Sequence, residues 1–119
     1  ISAAFVQREQ PEVLGMQEQA AATLADLAYE DEDLQDAIIA AGGVPPLLSL
    51  VQYGSHQAQE SAARSIWYLA TSFANQRIIV KSYAITDLVN LVKSGSSEGQ
   101  EMAARACVVV RCPQPTLAA

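Results

Sequence analysis

The segments QEQAA at residues 17–21, QESAA at 59–63 and QEMAA at 100–104 decide the fold, because they are three copies of one motif. The copies lie 42 and 41 residues apart. After each copy, apolar residues follow at steps of three and four, which places them on one face of a helix. The paired alanines leave little side-chain bulk, so a neighbouring helix can approach closely. The motif therefore predicts three long helices, near residues 11–28, 58–72 and 97–111.

Shorter segments that also repeat lie between the long helices. VPPLLSLVQYGS at residues 44–55 matches ITDLVNLVKSGS at 85–96, which predicts a short apolar helix in each unit. A glycine ends each of these helices, and we expect it in the left-handed conformation typical of a helix cap. Ser97 and Gln100 have the spacing of a capping box before the third long helix. With a third helical segment at 32–41 and 74–83, each unit of about 41 residues contains two short helices and one long helix.

A period of this length with two or three helices is typical of armadillo and HEAT arrays. DLQDAIIAAGGVPPLLSLV at residues 33–51, followed by QESAARSIWYLA at 59–70, resembles the armadillo repeat specifically. The resemblance covers about residues 17–111. It implies an all-α fold, a right-handed α-α superhelix (an armadillo-type solenoid) with about two full repeats and a partial one.

The same pattern divides the chain into three parts. We expect residues 1–10 to be the remnant of a preceding repeat or a flanking segment, 11–111 to be the armadillo array, and 112–119 to be a tail. Solenoids generally need polar caps, because each repeat buries its apolar face on its neighbours. Neither end of this array has a polar cap. Four apolar residues at the ends are therefore expected to be partly bare: Phe5, Val6, Val108 and Val109.

Composition excludes several classes of partner. The 119 residues carry 7 Lys and Arg against 13 Asp and Glu, a net charge of -6, which disfavours nonspecific nucleic-acid binding. The charge-free run at residues 37–59 loses its apolar character near Val51, short of the roughly 20 residues that a membrane span needs. Two cysteines suit a reducing compartment. We expect a cytoplasmic or nuclear protein, or one found in both compartments, with no membrane span.

Motifs for catalysis and metal binding are weak. The segment GSSEG at 95–99 fits the nucleophile pattern G-x-S-x-G, but it lies between two predicted helices, and the single histidine, His56, precedes Ser97 instead of following it. His56 has no second ligand nearby in sequence. We therefore expect no enzyme activity, no cofactor and no metal. The acidic residues between Asp26 and Asp36 have two interpretations, ordinary helix capping and an acidic docking patch.

In armadillo proteins the third helix of each repeat lines a concave groove that holds extended peptides. The resemblance implies such a groove here. The nuclear-import adaptors of the family, importin-α and its relatives, use a ladder of tryptophan and asparagine there. This chain lacks the ladder, so a basic nuclear-localisation peptide is poorly supported. The tryptophan positions hold Ala22, Arg64 and Arg105, and the asparagine positions hold Asp26, Tyr68 and Val109.

The groove residues of this chain have a different character. Glu60, Arg64 and Tyr68 follow at i, i+4 and i+8 with Trp67 alongside, and the first two positions recur one unit later. Arg, Tyr and Trp are common interface anchors, although Glu–Arg pairs at this spacing also form plain surface ion pairs and aromatics also fill gaps between helices. If the groove binds, a partly acidic extended peptide suits it, as in β-catenin-like armadillo proteins. The candidate partner-binding residues are Asp26, Glu60, Arg64, Trp67, Tyr68, Glu101 and Arg105.

The sequence thus predicts a noncatalytic protein–protein interaction scaffold, a segment of a larger eukaryotic armadillo protein, whose partner is a protein or peptide. The alternative is a structural or oligomerisation segment that associates with copies of itself through its uncapped end helices.

Overall fold

The computed structural model describes residues 11–111, and this part of the chain forms seven helices and no strand. The predicted all-α repeat fold is confirmed. The expectations for residues 1–10 and 112–119, including Phe5 and Val6, lie outside the described residues. The helices are α1 (Pro11–Ala28), α2 (Glu32–Ala40), α3 (Val44–Tyr53), α4 (His56–Leu69), α5 (Phe73–Lys81), α6 (Ala84–Ser94) and α7 (Ser97–Arg111).

Side-chain caps begin three of these helices. The Asp31 side chain accepts from the Leu34 backbone N–H at 3.1 Å, and the Ser55 hydroxyl accepts from Ala58 N–H at 3.2 Å. The Ser96 hydroxyl accepts from Gly99 N–H at 3.0 Å, so the cap of α7 is Ser96 and the predicted capping box at Ser97 is wrong by one residue. Each bond satisfies an N–H that has no partner within its own helix.

The glycines after α3 and α6 serve close packing. Gly54 and Gly95 have φ values of -73° and -81°, so the predicted left-handed caps are wrong. A Cβ at Gly54 would lie 2.6 Å from the Leu50 carbonyl oxygen, and one at Gly95 would lie 2.7 Å from the Leu91 carbonyl oxygen. Glycine is therefore needed because the chain turns back closely over the end of the preceding helix.

The long helices α1, α4 and α7 lie side by side, with α4 packed against both of the others. The shorter helices α3 and α6 pack on α4 and α7, so the units stack as in a solenoid. Apolar side chains fill the space between these helices. The largest that are fully buried are Leu47, Val51, Ile66, Leu69, Ile79 and Leu88. We call the face formed by α1, α4 and α7 the long-helix surface.

Two equivalent glutamines join the units to each other. Gln35 donates from Nε2 to the Ala28 carbonyl at 2.7 Å, and Gln76 donates from Nε2 to the Ala70 carbonyl at 2.8 Å. Both side chains are buried. Each amide thus satisfies a carbonyl at the end of the preceding long helix, which has no partner inside that helix.

Within residues 11–111, no single helix is long and apolar enough to cross a membrane. In this part of the chain, the helices α2 and α3 are long and apolar enough only when taken together, and they are bent by 85° at their junction.

Candidate functional site

Four side chains form a continuous stack along the long-helix surface. Tyr29, just after α1, meets Tyr68 edge-on with ring centroids 5.1 Å apart. Tyr68 lies against Trp67 at 4.9 Å, and the Arg105 guanidinium carbon sits 5.2 Å from the Trp67 ring centroid. We call Tyr29, Tyr68, Trp67 and Arg105 the aromatic row. It connects all three long helices and presents both ring edges and a cation.

A shallow cleft opens beside this row on α7. Its volume is about 400 Å³, and its lining is mostly apolar. Because Trp67 forms one wall and Val108 is 70% exposed, the cleft offers apolar surface directly to solvent. The lining residues are Trp67, Glu101, Ala104, Arg105, Val108 and Val109.

The two arginines of the site differ in their partners. Arg105 donates from Nη2 and Nε to a Glu101 carboxylate oxygen, at 2.8 and 3.1 Å, and this is the single ion pair within residues 11–111. Arg64 has no ion pair there, and its neighbour Glu60 instead accepts from the Ser96 hydroxyl at 2.9 Å. The Arg64 charge is therefore unneutralised by any contact within this part of the chain.

The Glu60–Ser96 bond has a counterpart in the preceding unit. Ser55 donates from its hydroxyl to Glu18 at 2.5 Å, so the glutamate of each of these two QE motifs accepts from the cap serine of the next long helix. Sequence reasoning missed this link, because the partners are 37 and 36 residues apart. The recurrence of a serine at the same place in both units was the signal that could have found it.

The structure brings four of the seven candidate residues into contact with one another, and a fifth, Glu60, contacts the start of α7. Trp67, Tyr68, Glu101 and Arg105 belong to the row or the cleft, and Glu60 supports α7 through Ser96. Arg64 lies one turn before the aromatic pair on α4, whereas Asp26 is exposed on α1 and takes no part in the stack. Binding of a partner by these residues stays a prediction.

Sequence reasoning missed Tyr29, which is 54% exposed and lies outside the repeated motif. A hydrogen bond to the neighbouring Glu30 carboxylate, and the charge of that carboxylate, raise the pKa of Tyr29. The tyrosine therefore stays protonated near neutral pH and contributes a neutral ring and a hydroxyl to the site.

Other residues considered from the sequence lie elsewhere. His56 is exposed at the start of α4, and Cys107 is half-buried, where burial raises the pKa of its thiol. Asp31 caps α2, as the capping interpretation of the acidic residues expects. Within residues 11–111, no group of three or more His, Cys, Asp or Glu side chains is arranged to hold a metal ion.

Comparison with known proteins agrees with this architecture. Residues 31–71 match the family model described as Armadillo/beta-catenin-like repeat, which confirms the predicted resemblance. No curated protein matches the chain significantly.

Two crystal structures of engineered proteins, both from a structural genomics consortium, share the fold. One is 24% identical with a TM-score of 0.78, and the alignment covers 82% of this chain and 40% of that one. The other is 33% identical with a TM-score of 0.77, over 81% of this chain and 39% of that one. This chain therefore spans about two fifths of the length of each engineered protein.

Proposed function

We propose, for a chain that carries an armadillo repeat at residues 31–71, that the long-helix surface binds an extended segment of a partner protein without catalysing a reaction. Armadillo repeats generally act as scaffolds for protein interactions. The observation that carries the proposal is the position of Arg64. Arg64, whose guanidinium has no ion pair within residues 11–111, lies on the same helix as Trp67 and Tyr68 and one turn before them.

The chemistry of the partner segment follows from the two parts of the site. Arg64 suits a carboxylate, because a guanidinium with no ion pair gains most from a charged acceptor. The cleft beside Trp67 suits an apolar side chain, since its walls are apolar and open to solvent. An extended segment places alternate side chains on one face about 7 Å apart, so an acidic and an apolar residue two positions apart can reach both parts.

Arg105 plays a different part from Arg64. Its charge is already bound by Glu101, and its guanidinium is stacked on Trp67. Arg105 therefore holds the indole in place and forms a wall of the cleft, and Arg64 supplies the charge for recognition. The sequence predicted equal roles for both arginines, and the geometry favours this division.

A display screen with extended peptides tests the proposal. We expect selected sequences to combine an acidic and an apolar residue, and to bind Arg64→Glu at least about tenfold more weakly, the loss of an interface hot spot. Arg77→Glu is the matched control, because Arg77 is exposed on α5 and the substitution changes the net charge equally. If no peptide is selected, or if the control loses as much affinity as Arg64→Glu, the proposal is wrong.

A further inference from the structure

Four equivalent positions in each long helix lie on the side that faces the preceding unit, and their exposure differs between the helices. In α4 these are Ala58, Ala62, Ser65 and Leu69, and each is at most 1% exposed. The equivalent positions of α7 are also buried: Gly99, Ala103, Ala106 and Val110. In α1 the same positions are all exposed, and we call them the head stripe: Met16, Ala20, Thr23 and Leu27. The helices that follow another long helix bury this stripe, and α1 leaves it open.

The opposite side shows the reverse pattern at the other end of the array. Ala21 and Ala63 are fully buried at equivalent positions in α1 and α4, and Ala104 in α7 is exposed. The short helices differ in the same way, because Leu48 and Val51 on α3 are 5% and 2% exposed. Their counterparts on α6 are 42% and 37% exposed. We call the open residues the tail patch: Val89, Val92, Glu101, Ala104 and Val108.

Glu101 differs from the equivalent glutamates of the two preceding long helices in its partner. Its equivalents Glu18 and Glu60 each accept from the cap serine of the next long helix. Within residues 11–111, Glu101 meets no such serine and pairs with Arg105 on its own helix. The tail patch thus repeats the apolar and alanine positions of two interfaces that are already formed inside the molecule, and the Glu101–Arg105 pair replaces the bond to a serine, since the first unit carries Val13 where the others carry Ser55 and Ser96.

We propose that the tail patch of one copy of this chain packs against the head stripe of a second copy. Charge favours this arrangement over the pairing of like ends. Residues 1–40 carry nine acidic residues and one arginine, a net charge of -8, and the rest of the chain carries +2. Head-to-head contact therefore brings together two parts of net charge -8, whereas head-to-tail contact brings one such part near a part of net charge +2.

The contact is heterologous, because two different surfaces meet. Each copy keeps one free head stripe or tail patch after pairing, so association continues beyond dimers unless the rotation closes a ring. It leaves Arg64 and Tyr68 uncovered, but it covers three of the residues that line the cleft, Glu101, Ala104 and Val108, so self-association and peptide binding compete for the cleft. Met16 and Val89 do not line the cleft, so substitutions there test self-association without altering the peptide site, and the two proposals can fail independently.

Sedimentation velocity of the full 119-residue chain, from about 5 μM to about 500 μM, tests the proposal by mass action. We expect the average mass to rise above the 12.7 kDa monomer with concentration. Met16→Asp in the head stripe and Val89→Asp in the tail patch each remove one of the two surfaces. Ile78→Asp is the matched control, since Ile78 and Val89 are both 42% exposed and the counterpart of Ile78 in the first repeat, Ala37, is exposed too.

Mixing the two variants gives the decisive result. Each single variant should stay monomeric, and Ile78→Asp should associate like the original chain. An equimolar mixture of Met16→Asp and Val89→Asp should form a dimer of about twice the monomer mass, because one intact head stripe meets one intact tail patch. A monomeric original chain at the highest concentration, or a mixture that fails to dimerise, would overturn the proposal. Circular dichroism of each variant shows that it is folded.

Discussion

The central helix α4 and the end helix α7 carry the same motif but have different surroundings. Ala63 of α4 is fully buried and Glu60 accepts from Ser96, because α7 lies alongside. At the equivalent positions of α7, Ala104 is exposed and Glu101 pairs with Arg105. The difference teaches that the motif specifies a helix with two packing sides, and that the neighbours decide which side chains become core.

The largest test of this comparison is one leucine position in two helices. Leu69 of α4 is fully buried and its equivalent in α1, Leu27, is 41% exposed. We expect Leu69→Ala to lower the free energy of unfolding by about 3 kcal/mol, since it leaves a cavity, and Leu27→Ala to lower it by less than about 1 kcal/mol. Urea unfolding measures both. Equal losses would break the comparison between central and end helices.

The two buried glutamines give a further test, because substituting either one should lower the stability by the same amount. Gln35 and Gln76 make the same bond to the ends of α1 and α4 at 2.7 and 2.8 Å, and both are buried. Substituting either one by leucine should cost about 1–3 kcal/mol, because a buried carbonyl loses its partner. The two losses, measured by the same urea unfolding, should agree within about 0.5 kcal/mol. A large disagreement would show that the end of the array affects more than the exposed flanks.

A smaller loss of stability should distinguish the two bonds of the motif glutamate, the bond from Ser96 to Glu60 and the ion pair of Glu101 with Arg105. Ser96→Ala removes the cap of α7 and the bond to Glu60, and should cost about 1 kcal/mol. Glu101→Ala removes a surface ion pair whose members are both about half exposed, and should cost only about 0.3 kcal/mol. Thermal unfolding followed by circular dichroism measures both. Similar losses would mean that the link between units contributes no more than a surface pair.

The smallest expected effect is a pH dependence of stability that comes from the second repeat alone. Burial raises the pKa of Asp87, whose counterpart in the first repeat is Pro46. The folded state then binds the proton more tightly than the unfolded state, so this group lowers stability as the pH rises through its titration. The stability of Asp87→Asn relative to the original chain should therefore increase between about pH 3 and about pH 7. A difference that is constant across this range would contradict the prediction.

The sequence predicts the repeat architecture well, because each unit repeats the same apolar spacing. It also identifies Trp67, Tyr68 and Arg105, which follow the recognisable QESAA and QEMAA motifs. It fails for Tyr29, which lies outside the motif and joins the aromatic row only through packing on α4. The predicted reason for the glycine at the end of α3 was wrong as well. Gly54 is required by a close approach to Leu50, a distance that spacing along the chain does not encode.

The links between units were also beyond the sequence. Ser55 reaches back to Glu18, and the side chain of Gln35 to the carbonyl of Ala28, across turns whose geometry sets which atoms meet. Pattern reasoning predicted a Glu60–Arg64 ion pair as one alternative, but the cap serine of α7 takes the carboxylate instead. Within residues 11–111, Arg64 is therefore left without an ion pair, and its proposed role in binding follows from a contact that Glu60 makes with a different unit.

Fluorescence of Trp67 tests the central claim most directly, because Trp67 is the single tryptophan of the chain and forms a wall of the cleft. We predict that titration with a display-selected peptide containing no tryptophan changes the Trp67 emission in a saturable way. Arg77→Glu should keep this response, and Arg64→Glu should need at least about ten times more peptide. A peptide that binds tightly by an independent measurement yet leaves the Trp67 emission unchanged would contradict the account.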